Sequence, residues 1–277
     1  MNKRDFRLNV FKKAALCRNF ENTVYAMVEE KVIKFPVYLS AGQEFIPATI
    51  SEICKVKIPL LFAQHRCHST YLSFGGDITQ LIDELLGRKT GCAYGMGGSA
   101  SIHSKDINMY GHDGLMGSQI PIAVGACYSS RQPTIGIMGD ASAEEDYVLG
   151  ALGWAATKQL PILFVVEDNN LSILTEKKVR RDWHMHEVAK AFGLQAWNIS
   201  DDPLEILQYS DDFFKHPILL NINTHRLFWH SGAGIDNEDE FDRYRAEMED
   251  LGQEAVEIHL ETKDKVLKAW QKQLETQ

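Results

Sequence analysis

The stretch Thr134–Thr175, TIGIMGDASAEEDYVLGALGWAATKQLPILFVVEDNNLSILT, decides the fold. It opens on a short apolar run, Thr134 to Met138, which passes straight into Gly139-Asp140. Ala151, Leu152, Ala155 and Ala156 then recur at helical spacing, and Pro161 marks the helix exit. Ile162 to Val166 is apolar without polar alternation, as a parallel strand covered on both faces should be. It ends in Glu167-Asp168-Asn169-Asn170. Strand, turn, helix and strand make one parallel βαβ unit, and two polar clusters fall at strand carboxyl ends, where open α/β sheets place their ligands.

The chemistry of that unit points to a metal and a diphosphate. Asp140 offers a hard anionic oxygen and Asn169 a neutral amide oxygen. Magnesium takes about six oxygens and is commonly held by one or two side chains plus substrate phosphates. A backbone carbonyl just beyond Asn169 would fill a third place. The helix expected directly after Gly139-Asp140 would point its free N–H groups at the same spot. Taken alone, Gly-Asp before a helix is also an ordinary Asp cap.

With those residues in view, the chain resembles the alpha subunit of thiamine diphosphate-dependent 2-oxo acid dehydrogenases, the decarboxylating component. Gly139-Asp140 through to Asn169 is similar to the family's Gly-Asp-Gly to Asn-Asn signature. Leu86–Ser99, LGRKTGCAYGMGGS, and Gly114–Pro121, GLMGSQIP, are similar to two further family stretches in the same order. The resemblance covers roughly residues 35–235. It implies a doubly wound α/β fold with a mostly parallel sheet flanked by helices, spread over one diphosphate-binding domain, 1–277. Helical extensions are expected at 1–35 and 236–277.

The resemblance also implies a site. Asp140, Asn169 and the carbonyl of Leu171 would hold Mg2+. Arg66 matches the arginine of an aromatic-Arg-x-His element that grips diphosphate, with a planar fork suited to bidentate contact. His65 stands where relatives usually carry Tyr, and His68 matches the family histidine as a catalytic candidate. His230 matches the second histidine of Arg-x-His-Gly-His-Ser, as a catalytic and diphosphate-contacting residue. Gly139, Ala141 and Ser142 would cradle the diphosphate, backbone groups of Gly114 and Met116 the aminopyrimidine, and Ile173 would bend the cofactor.

Several positions depart from the family pattern. Ala141 replaces the third residue of Gly-Asp-Gly, which is tolerable if φ there is negative. Asp146 replaces a Gly and Asp168 the first Asn. Ser101 stands where relatives carry a histidine, although His103 is near. Phe228 and Trp229 replace His and Gly, which implies a bulkier, more apolar wall facing the substrate. Glu44, in Leu39-Ser40-Ala41-Gly42-Gln43-Glu44, reads equally as a pocket or interface residue and as a helix cap.

Composition bounds the rest. The 277 residues are 44% hydrophobic and carry a net charge of −9, which argues against nucleic acid as the main partner. No apolar run is long enough to span a membrane. The five cysteines (Cys17, Cys54, Cys67, Cys92 and Cys127) form no CxxC pair and read as reduced thiols of a cytoplasmic protein. Elsewhere the sequence predicts helices over 6–33, 76–87, 120–128 and from the charged turn 176–181 to Phe192, with strands at 60–64 and 217–222.

In relatives the carboxylic acid that activates the cofactor comes from a second, pyrimidine-binding domain, for which this chain has no length to spare. The resemblance therefore implies a separate beta subunit carrying that Glu, in an alpha2beta2 heterotetramer acting on a 2-oxo acid. Two rival readings are a split transketolase moving a two-carbon ketol unit and a non-catalytic assembly partner.

Overall fold

Eight strands and eleven helices are present in the computed structural model, which describes residues 2–55, 59–236 and 241–276. The strands are β1 (Leu60–Phe62), β2 (Met109–Tyr110), β3 (Thr134–Gly139), β4 (Ile162–Asp168), β5 (Leu171–Ser172), β6 (Thr175–Glu176), β7 (Gln195–Ser200) and β8 (Ile218–Asn223). The helices are α1 (Lys3–Glu29), α2 (Phe45–Ile53), α3 (His68–Ser73), α4 (Ile78–Leu85), α5 (Gln119–Ser130) and α6 (Asp146–Lys158). They continue as α7 (Lys177–Arg180), α8 (Met185–Ala191), α9 (Pro203–Leu207), α10 (Arg243–Leu251) and α11 (Gln253–Glu275).

Six strands form one sheet in the order β2-β1-β3-β4-β8-β7, and every pairing in it is parallel. The strand period of two sorts the apolar side chains into two layers. Ile135, Ile137, Leu163, Val165, Ile218, Leu220 and Ile222 join the core beneath α1 and α4. Met138, Ile162, Phe164, Val166 and Leu219 face the other way, against α5, α6 and α8. Helices thus cover both faces, which is the doubly wound arrangement expected from βαβ crossovers.

Burial explains which strands the sequence disclosed. β4 is buried along its whole length, so it carries no polar alternation. β7 was not predicted: it is an edge strand in which only Ala196 and Ile199 are buried, so QAWNIS lacks an apolar run. β2 is only two residues long.

The terminal helices are packing elements. α11 lies along α1, where Trp270 is buried beside Phe20 at 6.0 Å between ring centroids. Buried Arg18 of α1 makes a double hydrogen bond to Asp242, 2.8 Å on each arm, and also pairs with Glu44 at 2.5 Å. Glu44 is fully buried, accepts the Gly42 amide and does not line the cavity described below. Residues 237–240 of the expected C-terminal extension lie outside the described residues. All five cysteines are free thiols.

Candidate functional site

Parallel register brings the acidic residues together. Gly139 of β3 pairs with Glu167 of β4, so Asp140 and Asp168 follow side by side at the strand ends, 1% and 4% exposed. Burial, reinforced by the neighbouring Asp168 charge, pushes the Asp140 carboxyl up to about 6, against the pull of Arg180. Asp168 moves the other way: burial opposes its charge, but Lys177 and Asn221 hold it below the usual carboxylate range. Asn169 is oriented from both sides, its Nδ2 donating to Gln43 Oε1 (2.9 Å) and its Oδ1 accepting the Leu171 amide (3.0 Å). Asn170 then takes φ +66° and the chain turns into the β5–β6 hairpin, with Ile173 at φ +54°. A β-branched residue in the left-handed region is strained, and such strain persists only where neighbours impose it. Arg226 is one such neighbour, donating from Nη1 to the Ile173 carbonyl at 2.9 Å.

A cationic wall faces these carboxylates. Arg66 follows β1, and Arg226 and His230 follow β8. Both guanidiniums are buried, 4% and 3% exposed. Arg66 donates to the Leu39 carbonyl and bonds His230 Nδ1 at 2.9 Å, so neither of these partners is a carboxylate. Burial, and then the nearby Arg226, lower its pKa to about 10. Burial and the same two arginines pull His230 down to about 4. Because guanidiniums only donate, Nδ1 of His230 must accept, which assigns its proton to Nε2. His65 packs edge-on against Tyr38 (4.7 Å) and lies 5.8 Å from His230 and 5.7 Å from His112. Its Nε2 is buried with no hydrogen-bond partner in the protein.

These groups line one cavity of about 280 Å³ together with Gly114, Met116, Gly139, Ala141 and Ser142. Gly114 has φ +109°, a conformation that side-chain-bearing residues avoid. Tyr147 fixes the adjoining loop by donating its hydroxyl to the Met116 carbonyl. Ala141 has φ −72°, so its methyl group is accommodated in ordinary helical backbone. A larger cavity, about 610 Å³, lies between Lys89–Tyr94 and His103–Tyr110, and none of the strand-end carboxylates or buried guanidiniums reaches it. His103 belongs to that second cavity and does not stand in for the histidine missing at Ser101.

Of the residues singled out from the sequence, His65, Arg66, Gly114, Met116, Gly139, Asp140, Ala141, Ser142, Asn169, Leu171, Ile173 and His230 line this cavity. His68 does not: the expectation placed it in the site, and the structure places it outside the cavity. Its ring is completely buried, with Nδ1 3.1 Å from Glu21 Oε1 and Nε2 2.9 Å from Ser99 Oγ, so it ties α3 to α1 and the Gly-rich loop. The bulky apolar wall is corrected as well: Phe228 and Trp229 turn inward onto Tyr25 of α1, at 4.7 and 5.8 Å, and neither lines the cavity. The helix expected directly after Gly139-Asp140 is a 3-10 turn, Ser142–Glu144, and α6 begins only at Asp146.

Sequence reasoning passed over Tyr38, Gln64, His112 and Arg226, all of which line the cavity. Arg226 carried a signal, because it begins the same Arg-x-x-x-His segment that ends in His230. Within the charged turn 176–181 sequence reasoning singled out neither Arg180 nor Lys177, which pair with Asp140 and Asp168.

Among the described residues no cluster of three or more His, Cys, Asp or Glu is placed to hold a metal. A divalent ion at the strand ends would therefore be held by a mixed set of carboxylate, amide and carbonyl oxygens. Such a set suits a hard cation that shares its shell with phosphate. The orphaned His65 Nε2 and the two guanidiniums suit an anion beside it.

The family described as "Dehydrogenase E1 component" matches residues 12–275. Pyruvate dehydrogenase E1 component subunit alpha-1, mitochondrial, of Oryza sativa subsp. japonica is 27% identical over 263 residues, covering 88% of this chain and 66% of the relative. The mitochondrial alpha-2 subunit of Arabidopsis thaliana is 28% identical over 236 residues, covering 81% and 59%. The chain thus spans about three-fifths to two-thirds of the length of these relatives. In fold it is similar to a transketolase from Campylobacter jejuni, with TM-score 0.62 and 16% identity, covering 99% of this chain and 49% of the other. A match spanning nearly the whole sequence, over a doubly wound sheet with its cavity at the strand ends, places this chain in the dehydrogenase E1 component family.

Proposed function

We propose that this chain is the diphosphate-binding subunit of a thiamine diphosphate-dependent enzyme that decarboxylates a 2-oxo acid and passes the acyl or aldehyde unit to an acceptor. One observation carries the reading: a single small cavity joins two buried guanidiniums to the buried Asp140 carboxylate and the half-buried Asn169 and Leu171 beside it. A diphosphate with its magnesium ion neutralises both. Asp140, Asn169 and the Leu171 carbonyl hold the ion. Arg66, Arg226 and the protonated Nε2 of His230 bind the phosphate oxygens, and His65 adds an imidazole whose Nε2 has no protein partner. Gly114 and Met116 meet the pyrimidine. When bound, the cofactor supplies the carbanion chemistry, and the protein orients it and keeps water away.

His230 stays neutral at physiological pH because burial, and then the two flanking guanidiniums, lower its pKa to about 4, so it donates a hydrogen bond without adding a third positive charge. The pyrimidine side of the cavity opens on exposed apolar residues, with Leu115 67% and Met116 38% exposed. That rim supports a partner subunit closing the site, here a beta subunit carrying the pyrimidine domain and its activating Glu. An alpha2beta2 heterotetramer satisfies both requirements.

Calorimetric titration of thiamine diphosphate into the co-expressed subunits tests the reading. Binding is expected with magnesium and not in chelator. Equal affinity under the two conditions would refute the metal assignment, and no binding at all would refute the function.

A further inference from the structure

The backbone of Leu171 decides how two side-chain amides face. Its N–H donates to Asn169 Oδ1 at 3.0 Å, closing a turn onto the Asn side chain. Because that N–H needs an acceptor, Asn169 Nδ2 points the other way, where it meets Gln43 Oε1 at 2.9 Å. Turning Gln43 over would set donor against donor. Gln43 is 1% exposed, and its own Nε2 finds no partner in the protein. Leaving a buried donor unpaired is unfavourable, so Gln43 keeps its acceptor on Asn169 against a cost to itself.

The turn that carries Gln43 is fixed from both sides. The Gln43 amide donates to the Ser40 carbonyl (3.0 Å), and its carbonyl accepts the Ile46 amide (3.2 Å). Beside it, the Gly42 carbonyl accepts Thr224 Oγ1 at 3.0 Å, just beyond β8, and Glu44 pairs with Arg18 of α1. Gly42 has φ +96°, and a Cβ there would lie 2.2 Å from the His225 carbonyl oxygen, so glycine alone fits. Gln43 does not line the cavity and reaches it only through Asn169.

We infer that Gln43 is a positioning residue of the metal subsite: it aims the Asn169 amide oxygen and, through the Leu171 amide on that oxygen, steadies the residue whose carbonyl is the next candidate ligand. The inference rests on the functional reading above. An amide oxygen carries two lone pairs; Leu171 engages one, and the second serves the ion. Without an acceptor at position 43, Asn169 Nδ2 is left unpaired against the protein. That favours rotamers that take the amide off Leu171 and out of the subsite.

The test titrates magnesium at fixed thiamine diphosphate into the chain co-expressed with its partner subunit, as wild type, Gln43→Met and Gln43→Glu. Met keeps the length and removes the acceptor, whereas Glu keeps the acceptor. Gln43→Met is expected to bind magnesium about 10–100-fold more weakly. Its thermal midpoint without ligand should stay close to wild type, because losing the unpaired Nε2 offsets the lost bond. Gln43→Glu is expected to retain the wild-type magnesium affinity. Unchanged affinity in Gln43→Met, or an equal loss in Gln43→Glu, overturns the inference and leaves the functional reading intact. Gln43→Asn, which draws the acceptor back by one carbon, takes the place of Gln43→Met if that variant does not fold. The same loss is expected there, and full affinity overturns the inference. A wild type that binds neither ion nor cofactor overturns the functional reading, and the inference with it.

Discussion

The two ends of the strand-end cavity were built under opposite electrostatic rules. At one end Arg66 and Arg226 are buried close together, and burial lowers both their pKa values; the contacts to the Leu39 carbonyl, the Ile173 carbonyl and His230 go to neutral groups. At the other end Asp140 and Asp168 are buried side by side, each answered by a cation from α7. The carboxylates at the acidic end are thus paired with cations of the protein. The contrast teaches that the two charged sets are held by different means: the carboxylates by ion pairs, Arg66 by a carbonyl and an imidazole.

The largest effect expected on that contrast comes from Asp140→Ala. Magnesium-dependent cofactor binding should vanish in titration while the thermal midpoint changes little, because the substitution also removes a buried carboxyl held at an unfavourable pKa. Retained affinity would place the ion elsewhere. At the other end, Arg66→Ala should cost about 3 kcal/mol of cofactor affinity, since it deletes a buried charged donor. Arg66→Lys should recover only part of it, because a point charge cannot reproduce the fork. An affinity loss that does not depend on diphosphate, measured with thiamine as the competing ligand, would contradict the assignment.

The ends should also respond oppositely to acid. Asp140 must be ionised to bind a metal, so cofactor affinity is expected to fall about tenfold per pH unit below its pKa of about 6. For folding the signs differ. The folded state holds a proton on Asp140 below about 6 while the unfolded chain waits until about 4, so this group adds stability as pH falls through that window. His230 does the reverse. The unfolded chain protonates it near 6.5 and the folded state only near 4, so its contribution to stability is lost as pH falls between those values. His230→Gln should flatten that loss in a series of denaturation curves from pH 7 to 4, and an unchanged slope would show that His230 is not the group responsible.

The smallest effect is expected outside the cavity. His68→Gln breaks the buried link from Glu21 to Ser99 and should cost about 1–3 kcal/mol of stability. The pH dependence of cofactor binding should not change, and a shifted profile would return His68 to the catalytic group.

How much of this was legible in the sequence follows from what each residue needed. The βαβ core was readable because β3 and β4 are buried on both faces and could carry only apolar residues. The places of Asp140, Asn169 and Arg66 were readable because the strand pattern fixes where β3, β4 and β1 end. β7 was not, because an edge strand tolerates polar residues on its open side. Arg180 was hidden in a run of five charged residues among six, Glu176 to Arg181, where composition cannot say which side chains turn inward. His112 and Tyr38 were hidden for a different reason: they reach the cavity from loops whose path is set by tertiary packing. Phe228 and Trp229 misled because a substitution near the site was read as facing it, whereas Tyr25 on a helix about 200 residues earlier provides an aromatic neighbour to pack against.

The most direct measurement is a crystal of the co-expressed subunits grown with thiamine diphosphate and manganese in place of magnesium, with anomalous data collected to locate the ion. The account predicts one peak in contact with the Asp140 carboxylate, the Asn169 amide oxygen and the Leu171 carbonyl, with the diphosphate reaching Arg66 and Arg226. A peak away from Asp140, or a diphosphate bound without either guanidinium, would contradict it.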